Sequence, residues 1–136
     1  MDIDLFKAYN DHYGHPQGDQ ALRNVAQTIG GLVHRPGDFA ARYGGEEFVV
    51  LLADSPLEQA LQLGERIRAT LQGRGLAHAK GPLGVLTISV GVASTSDYPA
   101  QSLEQLLEAA DAALYRAKAD GRNRVAAFDG DSPPSA

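Results

Sequence analysis

The order of periodic segments along this chain of 136 residues predicts an α/β (α+β) sandwich of ferredoxin-like type. Strand patterns alternate with helical patterns, and a hairpin signal, Gly44-Gly45 between "GDFAARY" and "EEFVVLLA", lies in the middle. No internal repeat or second domain is visible. We therefore expect one domain over residues 1–128 and a disordered tail over residues 129–136.

The first half of the chain opens on the end of a strand. The next segment, "LFKAYNDHYGH", predicts a short helix or turn that Gly14 closes. Apolar residues at helical spacing in "DQALRNVAQTIGGLV" predict a second helix, which starts directly after Asp19. The hairpin follows this helix.

The second half alternates helix and strand. Ser55 as N-cap, with Glu58 completing a capping box, predicts the start of the helix in "SPLEQALQLGERIRATL", whose Gly64 indicates close packing. The β-branched run "VLTISVGVAS" predicts a buried strand. Ser102, with Gln105 closing the capping box, predicts the start of the last helix. The predicted apolar stripe of this helix comprises Leu103, Leu106, Leu107, Ala110, Leu114 and Ala117. The segment "NRVAAF" after it predicts a short strand.

Composition excludes several classes of function. Seventeen acidic against twelve basic residues argue against a nucleic-acid-binding surface, although a local basic pocket for a phosphorylated ligand remains open. The absence of cysteine excludes disulfides and thiolate metal sites, and the four histidines show no ligand spacing. With no apolar run near the roughly 20 residues that span a bilayer, we expect a cytoplasmic domain without membrane contact.

Two pairs of carboxylates stand out. Glu46 and Glu47 follow the hairpin turn directly, and Asp2 and Asp4 lie at the end of the opening strand. If that strand neighbours the hairpin, these side chains form a hard oxygen site suited to magnesium that bridges phosphates. The alternative is that they are solvated turn residues and a frayed strand end.

Four ordered blocks carry a resemblance: "DIDLFKAYNDHYGHPQGD", "RPGDFAARYGGEEF", "TISVGVA" and "ADAALYRAKADGRNRV". Together they resemble the GGDEF family of diguanylate cyclases, with the signature in its Glu variant. The resemblance covers the chain to about Val125. It implies a palm-type nucleotidyl cyclase fold with a central, mainly antiparallel sheet, and the condensation of two GTP into cyclic di-GMP and two pyrophosphates between two domains that meet face to face.

The resemblance also implies a metal site for Mg2+ or Mn2+. Its ligands would be Asp2, the Ile3 carbonyl and Glu46, and Glu47 would assist at the metal or in activating the 3′-hydroxyl. Gly44-Gly45 would let the nucleotide approach closely because neither residue has a side chain.

Two further residues would recognise the guanine. The resemblance implies that Asn10 and Asp19 bind its edge, because an amide and a carboxylate complement its donors and acceptors. From the residues alone, Asp19 is also expected as the N-cap of the helix that begins after it.

The triphosphate would meet a cationic set. The resemblance implies Lys7, Lys118 and Arg122, together with the backbone N–H groups of Leu5 and Phe6. The alternative for Lys118 and Arg122 is a favourable interaction with the dipole of the helix that ends there.

An R-x-x-D pair, Arg35 and Asp38, precedes the signature by five residues. In the GGDEF family such a pair marks an inhibitory site that binds the product, cyclic di-GMP. The alternative is a surface turn built on Pro36-Gly37 with an incidental ion pair.

This chain departs from the family at its start. Family members carry a helix and most of a central strand before the first block, so we expect an excerpt, or a first strand supplied from elsewhere. A sensory or receiver module would normally bring two such domains together. Two other hypotheses remain: a cyclic di-GMP receptor with weak turnover, and a GTP-sensing regulatory domain.

Overall fold

The computed structural model describes residues 1–130 and confirms the α/β fold class. The elements in chain order are β1 (Asp2–Ile3), α1 (Phe6–Tyr13), α2 (His15–Gly30), β2 (Phe39–Gly44), β3 (Glu47–Leu51), α3 (Leu57–Gly73), β4 (Ile88–Val92), α4 (Leu103–Ala119) and β5 (Val125–Ala127). The predicted tail is described only to residue 130; the rest of it lies outside the described residues.

The five strands form one sheet in the order β2-β3-β1-β4-β5. β4 and β5 run parallel, and the other neighbouring pairs are antiparallel. The short β1 lies in the middle, where Asp2 is opposite Glu47 of β3 on one side and Ser89 of β4 on the other. The hairpin is therefore adjacent to the opening strand, as the carboxylate hypothesis required.

The start of α2 corrects one expectation. The helix begins at His15, after Gly14 with φ +88°, and Pro16 lies in its first turn, where a missing N–H costs nothing. The expected N-cap at Asp19 is wrong, because Asp19 lies inside the helix. The four residues before Asp19 carry no apolar periodicity, so the pattern could not show this first turn.

The capping box predicted for α3 is wrong as well. The helix has Pro56 at its N-cap position and no side-chain cap. The Ser55 hydroxyl instead accepts from Arg35 at 2.8 Å and donates to the Ala53 carbonyl at 3.2 Å. The Ser55 hydroxyl that would have capped the helix is therefore used in a tertiary contact with Arg35.

The start of α4 agrees with the prediction in part. The Ser102 hydroxyl accepts from the Gln105 N–H at 3.1 Å, as expected. The Gln105 side chain does not return to Ser102, because it accepts from the N–H of Gln101 at 2.8 Å.

Two glycines allow helices α3 and α4 to pack closely against the sheet. A Cβ on Gly91 of β4 would lie 2.2 Å from the Ala110 carbonyl oxygen, so α4 crosses the sheet at this residue. A Cβ on Gly64 of α3 would lie 3.2 Å from Val90, which confirms the close packing expected there. α3 and α4 thereby cover the buried strand β4.

An apolar groove of about 420 Å³ opens beside β1. Because β1 has only two residues, β3 and β4 run past Met1 without a strand between them, and α3 and α4 form the groove walls. The predicted stripe of α4 is therefore incomplete: Leu103 is exposed, and Leu106 and Leu107 are half-buried. Of the helices in residues 1–130, none is long and apolar enough to cross a membrane.

Candidate active site

Asp2 and Lys118 meet at the centre of the sheet. Asp2 is buried at the end of β1, and its Oδ2 accepts a charge-assisted hydrogen bond from Nζ of Lys118 in the last turn of α4. Lys118 thus contacts a specific carboxylate, which goes beyond the dipole interaction considered from the sequence. The Asp2 carboxylate is placed to receive a cation.

The hairpin brings the two glutamates to the same end of the sheet. The N–H of Ile3 donates to the carbonyl of Glu46 at 3.3 Å, and Glu47 pairs with Asp2 in the β1–β3 register. Gly45 has φ +49°, which explains a glycine there. A Cβ on Gly44 would meet no described atom within 4 Å, so the space beside the turn is open.

The oxygen donors fit a hard divalent cation. Asp2 and Ile3 form β1, and Glu46 lies in the hairpin turn beside it, where its carbonyl accepts from the Ile3 N–H. Carboxylate and carbonyl oxygens are what magnesium prefers. Within residues 1–130, no three His, Cys, Asp or Glu side chains are grouped closely enough to hold a metal by themselves. The chemistry of the set fits magnesium that also binds substrate phosphates.

A strained turn leads from β1 into α1. Leu5 is the N-cap residue of α1 and adopts φ +52°, which is unusual for a residue with a side chain. Phe6 is buried in the core, while Lys7 is exposed in the first turn. The N-terminus of α1 therefore begins two residues after Asp4, with the exposed Lys7 in its first turn.

His78 supports this turn from the loop before β4. The side chain is fully buried, its Nε2 lies 3.1 Å from the Leu5 carbonyl oxygen, and its Nδ1 accepts from the Lys80 N–H at 3.3 Å. The ring packs edge-on against Tyr9 at 5.0 Å. Sequence reasoning missed this contact because 73 residues separate the partners.

The turn after α4 contains Arg122, which the sequence analysis grouped with Lys118. The N–H of Arg122 donates to the Ala117 carbonyl at 3.0 Å, a bond of the Schellman type that closes the helix. Arg122 and Asn123 have φ values of +64° and +47°, so two consecutive non-glycine residues are left-handed. Asn123 was not a predicted site residue.

The two predicted guanine-binding residues lie on neighbouring helices. Oδ1 of Asn10 on α1 is buried and has no hydrogen-bond partner among residues 1–130. It packs against Gly18 of α2, where a Cβ would come within 1.8 Å of it. Asp19 follows Gly18 directly and is exposed. A buried, unpaired acceptor beside an exposed carboxylate suits a polar planar ligand.

Arg35 and Asp38 are joined to each other. Nε and an Nη of Arg35 contact the two carboxylate oxygens at 2.9 and 3.1 Å, and the Ala53 N–H donates to the same carboxylate at 2.9 Å. The hydrogen bonds from Arg35, and then from Ala53, hold the pKa of Asp38 below its ordinary value. The Arg35 side chain is half exposed, and its guanidinium also donates to the Ala53 carbonyl and to the Ser55 hydroxyl.

Comparison with known proteins shows the family of the chain. Residues 1–124 match the family described as "Diguanylate cyclase, GGDEF domain", and the chain belongs to that family. It is 43% identical over 125 residues to Diguanylate cyclase A of Treponema denticola, covering 92% of this chain and 33% of the relative. It is 46% identical over 127 residues to Response regulator PleD of Caulobacter vibrioides, covering 92% and 27%.

Solved structures agree with the fold. The GGDEF domain of DgcB from Caulobacter crescentus, in complex with c-di-GMP, superposes with a TM-score of 0.83 at 42% identity, covering 95% of this chain and 75% of that one. The active GGEEF domain of a diguanylate cyclase from Vibrio cholerae gives a TM-score of 0.79 at 32% identity, covering 96% and 80%. The chain spans about a third or less of the length of the curated relatives it matches.

Proposed function

We propose that this chain is a diguanylate cyclase domain that condenses two GTP into cyclic di-GMP and two pyrophosphates. The observation that carries the proposal is the convergence on β1 of Asp2, the hairpin glutamates and Lys118. The family match supports the same reaction class. We place this activity in the cytoplasm, where GTP is available.

The residues have separate tasks in the proposed reaction. Asp2, Glu46 and the Ile3 carbonyl would hold Mg2+ or Mn2+, which would offset phosphate charge and favour attack at the α-phosphorus. Glu47 would assist at this metal site or in removing the proton from the attacking 3′-hydroxyl. The bond from the α-phosphorus to the bridging oxygen breaks as the 3′-oxygen bond forms, and pyrophosphate leaves.

Binding of GTP would use the surrounding elements. The amides of Leu5 and Phe6, with Lys7, Lys118 and Arg122, would neutralise the triphosphate, and the open space at Gly44-Gly45 would admit it. Asn10 and Asp19 would bind the guanine edge; the unpaired Asn10 oxygen supports this role.

Two copies would be needed for one turnover, each supplying one GTP. The groove beside β1 supports the further proposal that the catalytic domain uses an additional strand outside residues 1–128. Because the curated relatives are three to four times as long as the matched region, we propose that an N-terminal sensory or receiver module pairs the domains.

We propose that Arg35 and Asp38 form the product-inhibition site. In the structure their charges satisfy each other, so cyclic di-GMP would have to exchange this ion pair for contacts to guanine and phosphate. The half exposure of the Arg35 side chain supports such an exchange.

The test is incubation of the chain with GTP and magnesium, with cyclic di-GMP followed by chromatography. Glu46→Gln keeps the shape of the side chain and removes the charge, so we expect its product formation to fall at least about a hundredfold. An early plateau that Arg35→Ala abolishes would support product inhibition. Binding of cyclic di-GMP without any turnover at high protein concentration would favour the receptor hypothesis.

A further inference from the structure

Asp4 lies two residues after Asp2, in the turn that follows β1, yet its surroundings are different. Ser89, the register partner of Asp2 on β4, donates to Asp4, so both carboxylates lie on one side of the sheet. Asp2 contacts Lys118, whereas Asp4 is only 2% exposed and is enclosed by protein donors. Sequence reasoning treated the two as one acidic cluster.

Three donors occupy the Asp4 carboxylate. The hydroxyl of Ser89 donates to Oδ1 at 2.6 Å, and the hydroxyl of Thr87 donates to Oδ2 at 2.7 Å. The backbone N–H of Asn123 donates to Oδ2 at 3.0 Å. Both oxygens are thereby used within the fold, which leaves Asp4 poorly suited to bind a metal or a substrate.

The third donor belongs to the turn that follows α4. Arg122 and Asn123 are both left-handed, a conformation that persists only when neighbouring structure imposes it. The Arg122 N–H is held by the Ala117 carbonyl, and the next N–H is held by Asp4. The turn is therefore fixed at one end to α4 and at the other to β1.

The side chain of Asn123 is anchored on its far side. Its Oδ1 accepts from Arg68 at 2.9 Å, and its Nδ2 donates to Gln72 at 3.0 Å, both on α3. Arg68 is held in turn by Glu65. The turn thus joins β1, α3 and α4 at the point where Arg122 emerges.

We propose that Asp4 is a positioning residue that holds the Arg122–Asn123 turn against β1 and so sets Lys118 and Arg122 relative to Asp2. The inference rests on the proposed function, because it concerns the cations that would bind the triphosphate. β1 and the turn after it then have separate tasks: Asp2 faces the ligand and Asp4 fixes the scaffold.

Asp4→Asn separates this role from metal binding. An amide oxygen can accept from Asn123 and Thr87, and the amide nitrogen can donate to Ser89, whose hydroxyl rotates to accept. The hydrogen bonds to the turn survive in this variant. A metal ligand would not tolerate the change, so Asp2→Asn is the comparator.

Two measurements test the proposal. The first is amide hydrogen exchange at Asn123 without nucleotide. The second is calorimetric binding, in the presence of magnesium, of 3′-deoxy-GTP, a nucleotide that cannot react. In Asp4→Ala we expect rapid exchange at Asn123 and binding weaker by on the order of tenfold. Asp4→Asn should stay close to the unmodified chain in both. Thr28→Val, which removes a part-buried hydrogen bond to the Asn24 carbonyl and one from Arg74 elsewhere in the fold, should lower the melting temperature without weakening binding.

Three results would overturn the inference. One is Asp4→Asn losing nucleotide binding as Asp2→Asn does, with Asn123 still protected, since Asp4 would then be a ligand. The second is Asp4→Ala binding normally although Asn123 exchanges freely. If Asp4→Ala does not fold, the double variant Thr87→Val/Ser89→Ala takes its place: it leaves the Asn123 N–H on the carboxylate, so Asn123 should stay protected and nucleotide binding should stay close to normal. Loss of binding there with Asn123 still protected would be the third. Because exchange needs no turnover, absence of cyclase activity would refute the proposed function and leave the exchange result informative.

Discussion

Substitution of Gly18 by alanine tests the guanine site with a single added methyl group. The new Cβ would lie 1.8 Å from Oδ1 and 2.9 Å from Cγ of Asn10. Since real contacts of this kind are not shorter than 3.0 Å, the oxygen must retreat by at least 3.0 − 1.8 = 1.2 Å. Such a shift removes a hydrogen bond of ordinary length.

The expected loss falls on binding and not on folding. Losing one well-placed polar contact to a buried ligand costs about 1–2 kcal/mol, or roughly five- to thirtyfold in KM for GTP. The clash is with the end of a flexible side chain, and alanine inside a helix gains about 0.5–1 kcal/mol over glycine, so stability should change little.

The assay is the initial rate of cyclic di-GMP formation against GTP concentration, with thermal unfolding measured alongside. Gly30→Ala is the matched control, because it makes the same change in the same helix where no described atom lies within 4 Å. An unchanged KM in a folded Gly18→Ala protein would refute guanine binding by Asn10. Failure of that variant to fold would refute the claim that a flexible side chain absorbs the clash.

Two further predictions concern single side chains. His78→Ala removes a fully buried side chain and one of the two groups that hydrogen-bond to the Leu5 carbonyl, the other being the Tyr9 N–H. It should lower the free energy of unfolding by about 1–3 kcal/mol in denaturant titration, whereas the exposed His34→Ala should not; equal effects would contradict the contact. Hydrogen bonding lowers the pKa of Asp38, so the stability that its ionised form contributes is present at neutral pH and is lost as the pH falls through that lowered pKa. Arg35→Ala should raise the pKa of Asp38 in a carbon-13 NMR titration and leave that of Glu65 unchanged. An unshifted Asp38 would contradict the assigned cause.

Much of the fold could be predicted because its elements are strongly periodic. β4 and α4 carried patterns long enough to fix their type, and the hairpin followed from Gly44-Gly45. Element starts were less predictable where a polar group has a tertiary use. Ser55 has the chemistry of an N-cap, but Arg35 occupies it, and that contact joins residues 20 positions apart.

The residues of the candidate site could be proposed from the sequence, but the contacts between them could not. The sequence places two aspartates, Asp2 and Asp4, in one motif and gives no means of telling which faces a ligand. The difference arises from Thr87 and Ser89, more than eighty residues away, whose hydroxyls donate to Asp4. His78 was invisible for the same reason, since its role depends on a distant backbone carbonyl.

β1 links the groove to the site, although it has only two residues. Met1 forms part of the groove lining, Asp2 holds Lys118, and the N–H of Ile3 holds the hairpin at Glu46. A segment that filled the groove would extend the pairing of β3 and β4 and restrict the motion of β1. The Asp2 carboxylate and the Ile3 contact to Glu46 belong to the same short strand. A segment that ordered β1 by filling the groove would therefore also fix Asp2 and Glu46, the two carboxylates of the proposed metal site.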